Sequence, residues 1–310
     1  MSNDLKDLND LKDLHELKDL EELKEAQEKP QEHQELRELI KPQVEPKIRN
    51  IRIFIAYDGT HYLGWQVQPK GPTIQGLIQD ILSKVLGHKV KLKGAGRTDA
   101  GVHALCQVAH FYTTSDKPLE IIYRALNGLL PRDICVYQVE EVSLRFHSQK
   151  SALKKTYAYY IYNYPVRNPL LRLYAHWVPE KLNIKAMREC LPLIIGTKDF
   201  ASFRKAGTDI KTTVRTIYSA ELKWSRKAKH LLEFEITGKG FMRYMVRNIV
   251  GALIEVGKGN LTPQDFEKIL EARDRKVAPP PAPPQGLVLK HIEYEPVEVF
   301  DRYPPFKVEL

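Results

Sequence analysis

From Ile51 onwards the apolar residues of this chain switch repeatedly between the two-residue alternation of a strand and the three-to-four-residue spacing of a helix. That succession restricts it to a layered α+β architecture. NIRIFIAYDGT (50–60) alternates and ends in a turn, and TIQGLIQDILSKVLG (73–87) carries Ile74, Leu77, Ile78, Ile81, Leu82 and Val85 at helical spacing. KVKLKGAG (89–96) and ALCQVAHFYT (104–113) are predicted strands, PLEIIYRALNGLLP (118–131) a helix closed by Pro131, and ICVYQVEEV (134–142) a strand.

Strand, helix, strand, strand, helix, strand is the split βαβ order of ferredoxin-like domains. The second half repeats the theme. KTYAYYIYNYP, LYAHWVP, TVRTIYSAELKWS, HLLEFEITGKG and GLVLKHIEY are predicted strands; IKAMRECLPLIIG, GFMRYMVRNIVGALIEVGKG and PQDFEKILEARD are predicted helices. The expected fold is therefore α+β: two ferredoxin-like halves joined in a pseudosymmetric antiparallel sheet, with helices on one side. The expected divisions are 1–46, 47–150, 151–295 and 296–310, and the proline run APPPAPP (278–284) is read as an inner loop because strand-like sequence follows it.

Residues 1–46 hold 14 Asp/Glu against 7 Lys/Arg, a net of −7. The other 264 residues hold 41 Lys/Arg against 25 Asp/Glu, a net of +16. A body so basic attracts polyanions, and nucleic acid is the usual large one. The leucines at 5, 8, 11, 14, 17, 20 and 23 recur every three residues, so they drift around a helix by roughly 60° per step and keep no common face. Residues 1–46 are read as an acidic low-complexity extension, disordered or a frayed helix. No stretch reaches the roughly 18 apolar residues of a membrane span, and the N-terminus is not a basic-then-apolar leader, so a cytoplasmic location is expected. Cys106, Cys135 and Cys190 are too far apart for a metal pair and are predicted to be buried thiols.

GAGRTDAGVHA (94–104) is the segment most suggestive of chemistry. A dinucleotide loop needs a third glycine where Asp99 stands, and no Gly-Lys-Ser/Thr follows for a phosphate loop. The glycines are read as backbone devices around Arg97, Thr98 and Asp99. On its own, Asp99 in such a turn could equally be an Asx-turn acid.

The company it keeps narrows the choice. YDGTHYLGWQVQ (57–68), TIQGLI (73–78), GAGRTDAGVHA, RFHS (145–148), KTYAYYIYN (155–163), DFASF (199–203), GFMRYMVRNIVGALIEVG (240–257) and GLVL (286–289), in that order, resemble the A family of tRNA pseudouridine synthases, from about residue 50 to 295. The resemblance implies an isomerase that converts uridine to pseudouridine in the anticodon stem-loop, at tRNA positions 38–40, by base flipping. It implies no metal or other cofactor, tRNA as partner, no membrane, and a homodimer. It assigns the catalytic carboxylate to Asp99, whether as nucleophile or in an elimination route, its salt bridge to Arg247, and the ring that stacks on the target uracil to Tyr157. Arg97 is expected to take the place of the flipped base. Lys155, Arg204, Lys205 and Arg243 belong to the basic residues expected to line an RNA cleft. Within GFMRYMVRNIVG the four-residue spacing of Arg243, Arg247 and Gly251 predicts one shared helical face. A catalytically silent RNA-binding protein on the same scaffold is the rival reading.

Overall fold

The computed structural model describes residues 47–207 and 210–305, so the expectations for 1–46 lie outside the described residues. The described residues from Arg49 onwards form one compact unit. The strands are β1 (Arg49–Tyr57), β2 (Lys93–Gly94), β3 (His103–Thr113), β4 (Ile134–Val142), β5 (Ala152–Asn163), β6 (His176–Val178), β7 (Gly196–Asp199), β8 (Val214–Trp224), β9 (Leu231–Gly238), β10 (Leu287–Tyr294) and β11 (Val299–Tyr303). The helices are α1 (Ile74–Leu86), α2 (Leu119–Leu129), α3 (Ile184–Glu189), α4 (Met245–Lys258) and α5 (Pro263–Ala272).

All the strands belong to one sheet in the order β11-β4-β1-β3-β10-β5-β9-β8-β7, with β2 paired to β3 and β6 to β5. The pairs are antiparallel apart from β5–β6 and the short parallel contact in which Val288 and Leu289 of β10 lie beside His103 and Ala104 of β3. That contact makes the sheet continuous between the two halves of the chain.

Alternation explains how the sheet is covered. Ile51, Ile53 and Ile55 of β1 are fully buried and join Ile78 and Leu82 of α1, Ile122 and Leu126 of α2, Met187 of α3, Ile249 and Leu253 of α4 and Phe266 of α5 in one core. Each such side chain contributes about 1.5–3 kcal/mol by leaving water. On β5, Tyr157, Tyr159 and Ile161 face this core, whereas Ala158 and Tyr160 pack with Leu231 and Val288 in a second cluster, the division that the strand alternation predicts.

The opposite face of β1 carries one charge, Arg52. Arg52 donates to Glu140 of β4, with Nε 2.8 Å from the carboxylate, and its guanidinium lies 5.1 and 4.9 Å from the rings of Phe54 and Phe146. Arg302 of β11 donates to the other Glu140 oxygen at 2.6 Å. Val299–Tyr303, in the last of the expected divisions, thus supplies an edge strand whose arginine completes the coordination of a buried acid.

Several elements differ from the sequence reading. The strand predicted over 89–96 pairs only at Lys93–Gly94, because the glycine loop turns away beneath Trp65. IKAMRECLPLIIG splits into α3 and a separate 3-10 turn at Pro192–Ile194, since a proline cannot continue the helical hydrogen bonds. The helix in GFMRYMVRNIVGALIEVGKG starts at Met245. Cys190 is buried and Cys106 half-buried, but Cys135 is exposed, so the prediction of three buried thiols fails at the solvent-facing side of β4.

The Glu140 cluster yields a ranking. Arg52→Ala strands a buried carboxylate and is expected to lower stability by about 3–5 kcal/mol. Arg302→Ala removes a partner that is one-third exposed and is expected to cost about 1–2 kcal/mol. Urea unfolding measures both; an equal or reversed order contradicts the account.

Candidate active site

Two loops at one end of β1 and β3 are built into one another. The turn after β1 is tied by Asp58, which accepts from the Thr60 amide at 2.9 Å and from the Tyr174 hydroxyl at 2.7 Å. Burial pushes the Asp58 carboxyl up, but the hydrogen bonds from Thr60 and Tyr174 outweigh it and hold the group below its ordinary value. His103 Nδ1 accepts from the Gly59 amide at 3.0 Å, which leaves Nε2–H to donate to the carbonyl of Leu173 at 2.9 Å. His103 is therefore a brace between loops.

Gly64 adopts φ +91°, and a Cβ there would lie 2.4 Å from the Thr98 carbonyl oxygen and 2.9 Å from the Asp99 carbonyl carbon. Only glycine fits both that conformation and that approach. The Trp65 amide donates to Thr98 O at 3.1 Å, and Thr98 Oγ1 pairs with the buried hydroxyl of Tyr57 at 2.8 Å. Gln107 donates to Gly96 O at 2.9 Å and Lys155 Nζ to Ala95 O at 2.6 Å. The glycine loop has few ways to move, and it fixes Asp99.

Asp99 has 13 % of its side chain exposed. Arg243 Nε lies 3.3 Å from one carboxylate oxygen and Arg247 Nη1 3.5 Å from the other. Burial raises the carboxyl above the usual aspartate value, and the charges of Arg247 and Arg243 offset only part of that rise. Tyr157 is buried with its ring edge-on to Phe241 at 5.2 Å; burial pushes its phenol up, and the charges of Tyr57 and Asp99 push it further.

Arg247 owes its position to the proline segment. Its Nε donates to the Ala282 carbonyl at 2.8 Å, and the Ala282 amide returns a bond to the Arg247 carbonyl at 2.9 Å. The close approach depends on Gly251, where a Cβ would lie 2.2 Å from Pro280 O. Asn248 Nδ2 donates to the carbonyls of Phe203 and Arg204 at 2.7 and 3.1 Å, drawing the segment after DFASF to the same helix end.

Of the residues named from sequence, Asp99, Arg243 and Arg247 meet directly, and Tyr157 lies close enough to feel the Asp99 charge. Arg204 and Lys205 run beside Arg243, whose carbonyl accepts from the Lys205 amide at 3.0 Å. Arg97 is exposed on the loop itself. Lys155 lies behind the loop with its ammonium on Ala95, and burial lowers it to about 8. Arg243 does not share a helical face with Arg247: it precedes the helix, and a left-handed Tyr244 returns it to Asp99. The roles of Asp58, His103, Tyr244 and Ala282 depend on contacts between distant segments; only the proline run and the glycines gave them a sequence signal.

Among the described residues no group of three His, Cys, Asp or Glu side chains is arranged to hold a metal ion, and no helix is long and apolar enough to cross a membrane.

The candidate site is thus one partly desolvated carboxylate held against two arginines within a strongly basic α+β body, the kind of perturbed ionisable group that clusters at functional sites. A sequence model described as tRNA pseudouridine synthase matches residues 53–149 and 192–295. The tRNA pseudouridine synthase A of Exiguobacterium sp. strain AT1b is 45% identical over 251 residues, 81% of this chain and 100% of that protein. Its counterpart in Geobacillus kaustophilus is 44% identical over 248 residues, 80% of this chain and 95% of that protein. The chain belongs to the tRNA pseudouridine synthases, a family of isomerases. Among solved structures, a Cbf5-Nop10-Gar1 complex aligns over 66% of this chain and 45% of that one with a TM-score of 0.31 at 14% identity, too distant to bear on the site.

Two outcomes follow from the geometry. Gly64→Ala is expected to cost more than about 2 kcal/mol in urea unfolding and to abolish turnover, because the loop under Asp99 must shift; a near-native variant contradicts the packing. Asp99 has a folded-state pKa above its ordinary value of 3.8, so its ionised form costs stability at neutral pH, and that cost fades as pH falls through the folded value. Thermal melts are therefore expected to show Asp99→Asn at or above wild type at pH near 7, with the advantage lost near pH 4; a variant that melts lower at neutral pH contradicts the sign.

Proposed function

We propose that this protein isomerises uridine to pseudouridine in the anticodon stem-loop of tRNA, at positions 38–40, with Asp99 as the catalytic carboxylate. The observation that carries the reading is the Asp99 carboxylate, partly withdrawn from water and faced by Arg243 and Arg247 at 3.3 and 3.5 Å. The reaction breaks the bond between ribose C1′ and uracil N1, turns the base, and joins C5 to C1′; the hydrogen on C5 leaves as a proton and N1 gains one. Substrate and product are isomers, so no oxidant, metal or cofactor enters the balance. Asp99 acts either as nucleophile at C1′ or as base toward the 2′ hydrogen, and both routes need it ionised. The two guanidiniums favour that form.

The target nucleotide must leave its helix to reach a recessed carboxylate. Tyr157 supplies an aromatic face for the uracil, Arg97 occupies the space it vacates, and Arg204, Lys205 and Arg243 engage phosphates. Lys155 supports the cleft through Ala95. The order β4-β1-β3-β2, and β10-β5-β9-β8 after it, supports two ferredoxin-like halves, divided near residue 150, with the cleft between them. The protein works in the cytoplasm as a homodimer, the arrangement implied by its family resemblance.

Release of tritium from tRNA labelled at uracil C5 tests the reading. Wild type releases it, whereas Asp99→Asn binds tRNA and loses release by about 10³-fold or more. Tyr157→Leu is expected to lose about 10–100-fold through the missing stack. Binding without release by the wild-type protein would instead mark a silent RNA-binding member.

A further inference from the structure

Tyr244 holds an unusual conformation at an informative place. Helix N-cap residues normally have extended backbone, as Thr73 before α1 and Thr262 before α5 do, with ψ 150° and 164°. Tyr244, before α4, is left-handed at φ 66°, and its side chain caps nothing. Two other non-glycine residues among those described share a positive φ, His230 and Arg273; the latter ends α5 and the former precedes β9.

The Tyr244 ring sits within cation–π range of three cations. The guanidinium carbons of Arg247 and Arg243 are 4.5 and 5.7 Å from its centroid, and Lys205 Nζ is 5.3 Å away. Three like charges converge there, and the carboxylate that meets two of them is Asp99. Arg247 has a second anchor in Ala282 O. Arg243 has more than half of its side chain exposed, and beside Asp99 the Tyr244 ring is the contact that orients it. A phenyl face offers the cations attraction without offering a competing anion to Asp99.

We propose that Tyr244 is a positioning residue whose left-handed turn brings Arg243 back toward the site and whose ring holds Arg243 and Arg247 against the two oxygens of Asp99. The inference rests on the reading of Asp99 as the catalytic carboxylate. The groups that face Asp99 are Arg243 before α4, Arg247 on α4 and Tyr157 on β5; Tyr57 on β1 stands behind Tyr157, and on its own loop Arg97 is exposed while Ala95 carries the Lys155 ammonium. Of these, the two arginines favour the ionised acid. Loosening them raises the pH at which Asp99 ionises, so the acid limb of the rate moves upward.

The test is the pH dependence of single-turnover tritium release by the full chain carrying Tyr244→Phe, Tyr244→Leu or Tyr244→Gly. Phe keeps the ring and is expected to follow wild type. Leu and Gly are expected to move the acid limb up by about one pH unit and to lower the rate on that limb about tenfold, recovering at higher pH. Gly accepts the left-handed turn without strain and so separates loss of the ring from a folding defect in Leu. An unmoved limb in both Leu and Gly, or a Phe variant that behaves like Leu, overturns the proposal. Asp99→Asn measured alongside keeps the two claims apart: full activity in it refutes the catalytic reading itself, whereas an inactive Asp99→Asn with an unmoved limb in the Tyr244 variants refutes only the role of Tyr244.

Discussion

The contact between the Asp99 carboxylate and the guanidiniums of Arg243 and Arg247 is the constraint around which this structure is organised. A carboxylate with so little exposure is driven toward its neutral form, and the neutral form is useless for attack or proton removal. The two arginines restore part of what burial removes. Neither they nor the acid can be placed by local structure alone, because the acid follows β2 and the arginines flank the start of α4.

The surrounding architecture meets that requirement from both sides. The glycine loop is set on the 58–65 turn so closely that Gly59 and Gly64 leave no room for a Cβ, and its carbonyls at Ala95, Gly96 and Thr98 each accept a bond from a different part of the chain. Opposite, the proline segment lies against Gly251 and grips Arg247 from Ala282, while Tyr159 donates to Pro283 O at 2.8 Å. The parallel contact of β10 with β3 connects the two sides immediately after the acid's loop. An ionised acid at this position is held at a cost in folding stability.

Much of this was legible in the sequence where period and motif carry the information. ICVYQVEEV coincides with β4, and the split of KTYAYYIYN into Tyr157/Tyr159 and Ala158/Tyr160 faces follows from alternation alone. Asp99 and Arg247 were named from motifs, and the fold brings them to 3.5 Å. What escaped was set by contacts that no local pattern encodes. β7 and β11 are short edge strands made by their neighbours. Alternation puts Asn50 and Arg52 opposite the isoleucines of β1, but period cannot tell that Phe146 covers Arg52. The left-handed Tyr244 has no propensity signal, so a helix drawn through it puts Arg243 and Arg247 on one face; the turn unites them by a different route.

The most direct test of the central claim is to titrate the Asp99 carboxylate itself, by infrared difference spectra between wild type and Asp99→Asn over a pH series, and to repeat it in an Arg247→Met background. The account predicts ionisation above the ordinary aspartate range in the native protein and a further upward move of at least about one unit without Arg247. An Asp99 that ionises at or below its ordinary value, or that does not respond to the loss of Arg247, would contradict it.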